Sequence, residues 1–228
     1  MSAVSDRQVI TDSLGVGVGV GLYGVSFGAL ATTSGLTVAQ ACVLSLLAFT
    51  GASQFAFIGV VAAGGTPTAG ALTAVLLGAR NTFYGITLAP LLRVRGLRRL
   101  ATAHLVIDES TAMAVTRDSV RQSRIGFFWT GVSIFLIWNL MTLVGAVAGN
   151  AIGDPKAIGL DAAVAAAFLG LLWPRLDTPA TRWLALLAAV VALGLVPSTP
   201  AGTPIIVGGL LAVVVGMQFL KAAPEVTE

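Results

Sequence analysis

The sharpest chemical signal in this chain is one arginine. Between Asp12 and Arg80 lie 67 residues without a single Asp, Glu, Lys or Arg. Arg80 itself falls halfway along an apolar segment near 68–92. An arginine at the centre of a membrane helix costs roughly 2.5–3.5 kcal/mol on insertion scales, and that cost persists only where a partner or a wet cavity offsets it. A guanidinium grips carboxylates with two parallel hydrogen bonds and keeps its proton, so the chemistry on offer is anion binding. The structural alternative is an arginine that satisfies carbonyls at a helix break. Asn81 follows directly and Tyr84 lies one turn along, so Arg80 and Tyr84 can face one cavity.

Other polar residues fall inside apolar stretches. Gly51-Ala-Ser-Gln54 occupies the middle of a long segment, 37–63. A glycine there can break the helix and leave Ser53 and Gln54 at the start of a second half. Such a start offers free N–H groups and a positive dipole end to an anion. An intact helix with both side chains bonding a neighbour is the alternative. Asn139 lies mid-segment and either reaches the same cavity or ties two helices together. Asp108 and Glu109 are adjacent carboxylates about 100° apart on a helix, so at most one faces a buried site. Tucked into a bundle, that carboxylate could pair with Arg80 or carry a proton; on the membrane surface, both would pair with nearby arginines. Asp161, one turn inside an apolar run, is a helix cap or a proton carrier. His104 reads as an interfacial side chain rather than a relay.

These residues need a scaffold, and composition dictates its kind. Of 228 residues, 56% are hydrophobic and 10% charged, with a mean hydropathy of +0.92. A soluble domain carries about 25% charged residues, too many for this chain to match. High Gly (27) with low Tyr (2) suits close helix packing in lipid and not a barrel with aromatic girdles. The expected fold is therefore all-α, a polytopic helical membrane protein. Cys42 and His104 are the only residues of their types, which excludes a disulfide framework and a Cys/His zinc site. Neither lysine follows a glycine-rich loop, so no phosphate-binding loop exists. No cofactor or metal is called for. The pI near 9.6 reflects arginines beside membrane segments, a matter of topology and not of nucleic acid.

On a rule of about twenty apolar residues per crossing, spans fall near 14–33, 37–63, 68–92, 126–149, 157–173, 182–197 and 204–220. Some are expected to be discontinuous. Residues 14–92 form a first half and 126–220 a second. The basic connection 93–124, with seven arginines and three acids, separates them and holds an amphipathic helix around 100–121. With seven single crossings and a cytoplasmic C-terminus, ten Lys and Arg fall inside and two outside, as the positive-inside rule requires. That count places the N-terminus outside. If 37–63 is re-entrant, the N-terminus returns to the cytoplasm. Phe27-Gly-Ala-Leu-Ala31 resembles Val144-Gly-Ala-Val-Ala148, and Phe49-Thr-Gly51 resembles Phe168-Leu-Gly170. In oppositely directed spans, such likeness is the mark of an inverted repeat. Gly19-Val-Gly-Leu-Tyr-Gly24 has the spacing of a dinucleotide fingerprint but lies inside a span with no strand before it. Its overlap with Gly15-xxx-Gly19 and Gly24-xxx-Gly28 reads as helix packing.

Phe49-Thr-Gly-Ala-Ser-Gln-Phe55, Arg80-Asn-Thr-Phe-Tyr-Gly85, Ile107-Asp-Glu-Ser110 and Gly159-Leu-Asp161 through Phe168-Leu-Gly-Leu-Leu172 together resemble the AzlC family. The likeness runs through nearly the whole chain, in motif order. These proteins are the large subunits of two-component exporters. The resemblance implies export of valine, leucine, isoleucine and sometimes methionine, with a small AzlD-type membrane subunit encoded as a separate chain. The family commonly has Asn two residues before the arginine and His just after it; here Gly78 and Asn81 stand there. The missing His removes one possible proton carrier. The expectation is an inner-membrane secondary transporter driven by proton exchange, either as a single copy or as an oligomer. Gly51, Ser53, Gln54, Arg80, Asn81, Tyr84 and Asn139 would bind substrate, with Phe49, Phe55 and Phe83 around its side chain. Asp108, Glu109 or Asp161 would carry the proton. The competing class is a channel-like or accessory membrane subunit that transports nothing alone.

Overall fold

The structure, a computed structural model, describes residues 4–151, 169, 172–173 and 176–222. Among these every regular element is a helix and none is a strand. In chain order they are α1 (Asp6–Gly21), α2 (Gly24–Thr33), α3 (Val38–Leu47), α4 (Ala52–Ala62), α5 (Pro67–Gly78) and α6 (Arg80–Leu92). Then follow α7 (Arg98–His104), α8 (Asp108–Val115), α9 (Val120–Ala151), α10 (Pro179–Leu195) and α11 (Thr203–Ala222). The expected span at 157–173, with Lys156 and Asp161, lies outside the described residues.

Two rods form the spine. Asp6–Thr33, made of α1 and α2 with a tight turn at Leu22–Tyr23, is 28 residues long, and α9 is 32. At 1.5 Å per residue either exceeds the ~30 Å hydrocarbon core. Glycines bring them together. A Cβ on Gly17 would lie 2.1 Å from Ser133 Oγ, on Gly24 2.3 Å from the Trp138 carbonyl oxygen, and on Gly28 2.0 Å from the Thr142 oxygen. Reciprocally, Gly145 meets the Val25 carbonyl and Gly149 meets Ala29 and Thr32. Only hydrogen fits at these crossings, and small residues let membrane helices approach backbone to backbone. The packing stripe is Gly17, Gly21, Gly24 and Gly28. Gly15 and Gly19 face open space, so the expected Gly15-xxx-Gly19 contact is displaced by two residues to the opposite face.

The contact register rises in step along both rods, so α1–α2 and α9 run parallel. Their starts are also tied: Asp6 pairs with Arg121 at 2.9 Å, Asp12 with Arg117 at 3.6 Å, and Gln122 Nε2 donates to the Val4 carbonyl at 2.6 Å. This corrects the expectation of an N-terminus on the side opposite the 93–124 connection, and of oppositely directed spans 14–33 and 126–149. The physical reason lies between the rods, where 37–63 does not cross.

α3 and α4 form a hairpin that enters the bundle and returns. Thr37 caps α3 with a reciprocal Gln40 capping pair, 2.8 and 3.2 Å. Descending, α3 brings Ser45 Oγ to 3.2 Å from Thr142 Oγ1 and Phe49 against Phe135, ring centroids 5.1 Å apart. The chain then turns at Gly51, whose φ of +60° and ψ of −94° disfavour any residue with a Cβ. Rising again, α4 packs Phe55 against Phe27 and Trp138, centroids 5.8 and 6.2 Å apart. α5 then descends antiparallel to α4, with Gly70 against Phe57 and Gly78 against Ser53.

A second hairpin enters from the other end. The expected continuous amphipathic helix around 100–121 is two short helices, α7 and α8, joined at Leu105–Ile107. Val106 and Ile107 are buried there, and Leu105 rests on Gly131 of α9. Ser110 Oγ accepts from the Ile107 N–H at 3.1 Å, which starts a new helix at Asp108. Apolar residues at the turn draw the segment inward and off the surface. On its return, Met113 meets Gly126.

α11 runs alongside α5, from Gly202 at Val60 and Ala69 to Gly209 at Leu76, and α10 is antiparallel to it. The N-terminus, the 93–98 connection, the start of α10 and the end of α11 therefore share one end of the bundle. Arg7, Arg93, Arg95, Arg98, Arg99, Arg117, Arg121, Arg124 and Arg182 collect at that basic end.

Candidate functional site

The two hairpins meet tip to tip. His104, ending α7, places Nε2 2.8 Å from the Leu46 carbonyl oxygen at the end of α3. Its ring sits against Phe49 and Phe135, centroids 6.0 and 5.6 Å away. The last carbonyls of a helix lack internal partners, so a ring N–H is well placed to satisfy one. His104 is thus not an interfacial side chain, because α7 carries it to the middle of the bundle.

Beside this junction the α5–α6 rod changes register. Ala79 interrupts the helix, with its N–H bonded to Val75 and its carbonyl accepting from Thr82 at 3.0 Å. Two side chains then reach the second hairpin: Asn81 Nδ2 donates to the Val106 carbonyl at 3.0 Å, and Arg80 Nη2 lies 3.0 Å from Asp108 Oδ2. The side chains of this ion pair retain 27% and 22% exposure, so a small ligand can reach it. Asp108 stands in the first turn of α8, where the dipole favours a negative charge. Glu109, the next residue, has interactions of its own.

The first hairpin contributes the start of α4. Gln54 Oε1 accepts from the Gly51 N–H at 3.2 Å, while Gln54 Nε2 and Ser53 Oγ are buried without a hydrogen-bond partner. Ser53 Oγ would lie 3.2 Å from a Cβ on Gly78, two residues before Arg80. Arg80 Nε and Asn81 Oδ1 are likewise buried and unpartnered. Buried polar atoms without partners are uncommon and call for a ligand, ion or water. Of these atoms, Ser53 Oγ, Gln54 Nε2 and Arg80 Nε are donors and suit an anion such as a carboxylate, while Asn81 Oδ1 is an acceptor.

A cleft of about 1030 Å³ opens beside this place, lined by Asn81 and Gly78 but not by Arg80 or Asp108. Arg93, Arg95 and Arg99 line its basic end; Gly78, Asn81, His104 and the Ala48–Thr50 tip line its inner end. Leu88 and Leu92 supply apolar wall. Arg93 adopts a left-handed conformation, φ +51°, beyond Pro90, and Arg124 bonds the Leu92 carbonyl that ends α6.

Of the residues singled out from sequence, Arg80, Asn81 and Asp108 are in one cluster, with Gly51, Ser53 and Gln54 on the neighbouring tip. Tyr84 packs half-buried with Leu88, Val106 and Phe127. Asn139 Nδ2 donates to the Phe135 carbonyl of its own helix at 2.8 Å, and its Oδ1 is buried without a hydrogen-bond partner. Phe49 and Phe55 are buried, but Phe83 is 69% exposed, so it does not join them. Asp161 lies outside the described residues. The junction residues His104 and Leu46 are absent from the sequence-based site; a sole histidine within Ala-His-Leu-Val-Ile was the available signal. No cluster of three His, Cys, Asp or Glu side chains suited to a metal exists among the described residues.

An all-helical bundle with two apolar rods of crossing length, and a partly buried ion pair between the α5–α6 rod and the second hairpin, has the make-up of a helical membrane protein. The profile described as AzlC protein matches residues 15–152, and the chain belongs to the AzlC family. It is 24% identical over 198 residues to an uncharacterized membrane protein of Helicobacter pylori, covering 83% of this chain and 85% of that one. It is also 28% identical over 148 residues to the inner membrane protein YgaZ of Escherichia coli, covering 61% of this chain and 59% of that one. No solved structure gives a significant match.

Proposed function

We propose that this chain is a secondary transporter that exports branched-chain amino acids, namely valine, leucine, isoleucine and sometimes methionine, across the inner membrane. The observation that carries the reading is the ion pair of Arg80 and Asp108, which joins the α5–α6 break to the second hairpin, with Arg80 Nε and Asn81 Oδ1 buried there without hydrogen-bond partners. The substrate carboxylate would take Arg80 and the start of α4, while Leu88, Phe49 and their neighbours accept a branched side chain. Half-helices aimed at a central site are how many transporters handle small ions and zwitterions. The drive in this reading is proton exchange, with Asp108, Glu109 or Asp161 as carrier.

The basic end is assigned to the cytoplasm, because arginines and lysines accumulate on that side of membrane proteins. YgaZ, a relative, is named an inner membrane protein, which agrees with that location. A small AzlD-type partner completes the reading. The parallel rods restrict any inverted symmetry to other elements, with the two hairpins as its natural counterparts.

Counterflow of labelled valine in proteoliposomes tests this. Exchange above protein-free liposomes, alone or with the small partner, is expected. Its absence in both preparations would leave a channel-like or accessory membrane subunit.

A further inference from the structure

α6 and α7 are joined at the basic end by residues 93–97, and the 1030 Å³ cleft is lined by residues of both, with the α3 tip and His104 at its inner end. Its two ends differ in chemistry. Arg93, Arg95 and Arg99 line the basic end, and no Asp or Glu lines any part of the cleft. Arg95 and Arg99 join none of the ion pairs among the described residues. Arg93 gives its Nε to the Pro90 carbonyl at 3.1 Å, which orients the guanidinium and leaves its terminal nitrogens for an outside acceptor. It is also the one non-glycine residue with positive φ among the described residues, +51°. That region favours glycine or asparagine, and strained positions collect at ligand clamps.

Beyond the arginines the wall is apolar. Leu92, Ala89, Leu88 and Ile86 of α6 line it, with Leu47 and Ala103. Leu47 and Ile86 are 75% and 66% exposed, so this wall stands open. Its depth fits one leaflet. Arg124 bonds the Leu92 carbonyl at the mouth, and Phe135 packs on His104 at the inner end. Along the continuous helix α9 these two residues are about 16 Å apart, and half of the hydrocarbon core is about 15 Å. A soluble anion would meet the arginines without using the wall. A neutral lipid would use the wall and leave three positive charges without a counterion.

We propose that the cleft between α6 and α7 is a binding site for one anionic phospholipid of the leaflet that meets the basic end. Its phosphate is held by Arg93, Arg95 and Arg99, and an acyl chain lies along Leu92, Ala89 and Ile86. Basic pockets between membrane helices recognise acidic headgroups in this way. The bound lipid touches both α6, which carries Arg80 and Asn81, and α7, which carries His104. The site stands whether or not the chain carries amino acids.

Native mass spectrometry of the full chain in detergent, titrated with dioleoylphosphatidylglycerol or dioleoylphosphatidylcholine, tests this. One copy of the phosphatidylglycerol is expected to bind at least about tenfold more tightly than the phosphatidylcholine, a lower bound for three arginines at a headgroup. Arg95→Gln combined with Arg99→Gln should bring that ratio within about threefold. Arg7→Gln combined with Arg182→Gln, also at the basic end but outside the cleft, should leave it. Gly85→Leu tests the chain site: Gly85 lines the cleft and a Cβ there meets nothing within 4 Å, so the leucine fills the groove and should weaken both lipids at least about threefold. Thermal unfolding identifies any variant that has failed to fold. A wild-type ratio within about threefold overturns the site, and so does equal loss in the control pair, which means diffuse surface charge. Unchanged binding in Gly85→Leu also overturns it, as does displacement of the lipid by an equal concentration of soluble glycerol phosphate. Loss of the lipid on assembly with the small membrane partner would make the cleft a protein interface instead.

Discussion

Arg80 and Asp108 are 3.0 Å apart and each stands in the first turn of its helix, α6 and α8. Their helices treat them differently. The positive end of α8 stabilises Asp108, whereas Arg80 sits at the positive end of α6 and gains nothing from its own dipole. The guanidinium therefore depends on anions brought from elsewhere, and the second hairpin delivers one. Arg80→Gln removes both the charge and the fork and is expected to reduce valine counterflow at least about tenfold, as loss of a charge-assisted hydrogen bond implies. Arg80→Lys keeps the charge without the planar fork and should fall between. Equal, undiminished counterflow in both would reduce the residue to scaffolding.

The first hairpin turns at one backbone position. Gly51 has φ +60° and ψ −94° with nothing within 4 Å of a Cβ, so an added methyl group meets no neighbour and the cost is conformational alone. Gly51→Ala should lower stability by about 1–3 kcal/mol. Gly59→Ala, also in open space but helical, should be neutral or slightly stabilising, by up to about 1 kcal/mol. Thermal unfolding of the two variants in detergent measures the difference.

Helix packing gives a similar contrast. A Cβ at Gly28 would approach the Thr142 carbonyl oxygen to 2.0 Å and the Ala146 nitrogen to 2.7 Å, whereas Gly19 meets nothing. Because the obstacle is backbone, no rotamer relieves it. Gly28→Ala is expected to cost about 1–3 kcal/mol or more, and Gly19→Ala to leave the midpoint unchanged or higher. Thermal shift assays report both. Sequence alone pointed to helix packing through Gly24 and Gly28, which pack, and through Gly15 and Gly19, which do not; Gly17 and Gly21 on the other face take their place. The partner helix decides, and its register cannot be read from one segment.

The same distinction holds for the site. A charge in hydrocarbon is costly wherever it falls, so Arg80 was legible by itself, and Gly51 was legible as a possible break. Asn81→Val106 and His104→Leu46 were not, because each ends on a backbone carbonyl, which carries no residue identity. Asn139 drew notice for the same reason as Arg80, yet its Nδ2 bonds the Phe135 carbonyl within its own helix and only its Oδ1 is left buried without a partner.

His104 joins the two hairpins through the Leu46 carbonyl at 2.8 Å and two aromatic rings. His104→Ala removes one hydrogen bond, worth about 1 kcal/mol, and aromatic contacts worth about 0.5–1.5 kcal/mol. Its unfolding midpoint should drop. His104→Gln can still donate to the carbonyl and should recover part of the loss. If His104→Ala unfolds like the wild type, the tips are held together by something other than this contact.

Topology is the most direct test of the fold. Seven single crossings would set the N-terminus and the 93–98 connection on opposite sides of the membrane. The structure brings them together, through Asp6–Arg121 at 2.9 Å, Asp12–Arg117 at 3.6 Å and Gln122 on the Val4 carbonyl at 2.6 Å. The exposed Asp6–Arg121 pair contributes little energy, so it reports position and does not enforce it. Enforcement comes from the glycine crossings, which fit only in parallel register. Single cysteines at position 5 and position 96, in a Cys42→Ser background, should therefore react with an impermeant thiol reagent from the same side. By the concentration of arginine, that side is expected to be the cytoplasm. Labelling from opposite sides would mean that 37–63 crosses the membrane after all, that α1 and α9 run antiparallel, and that the two hairpins do not meet.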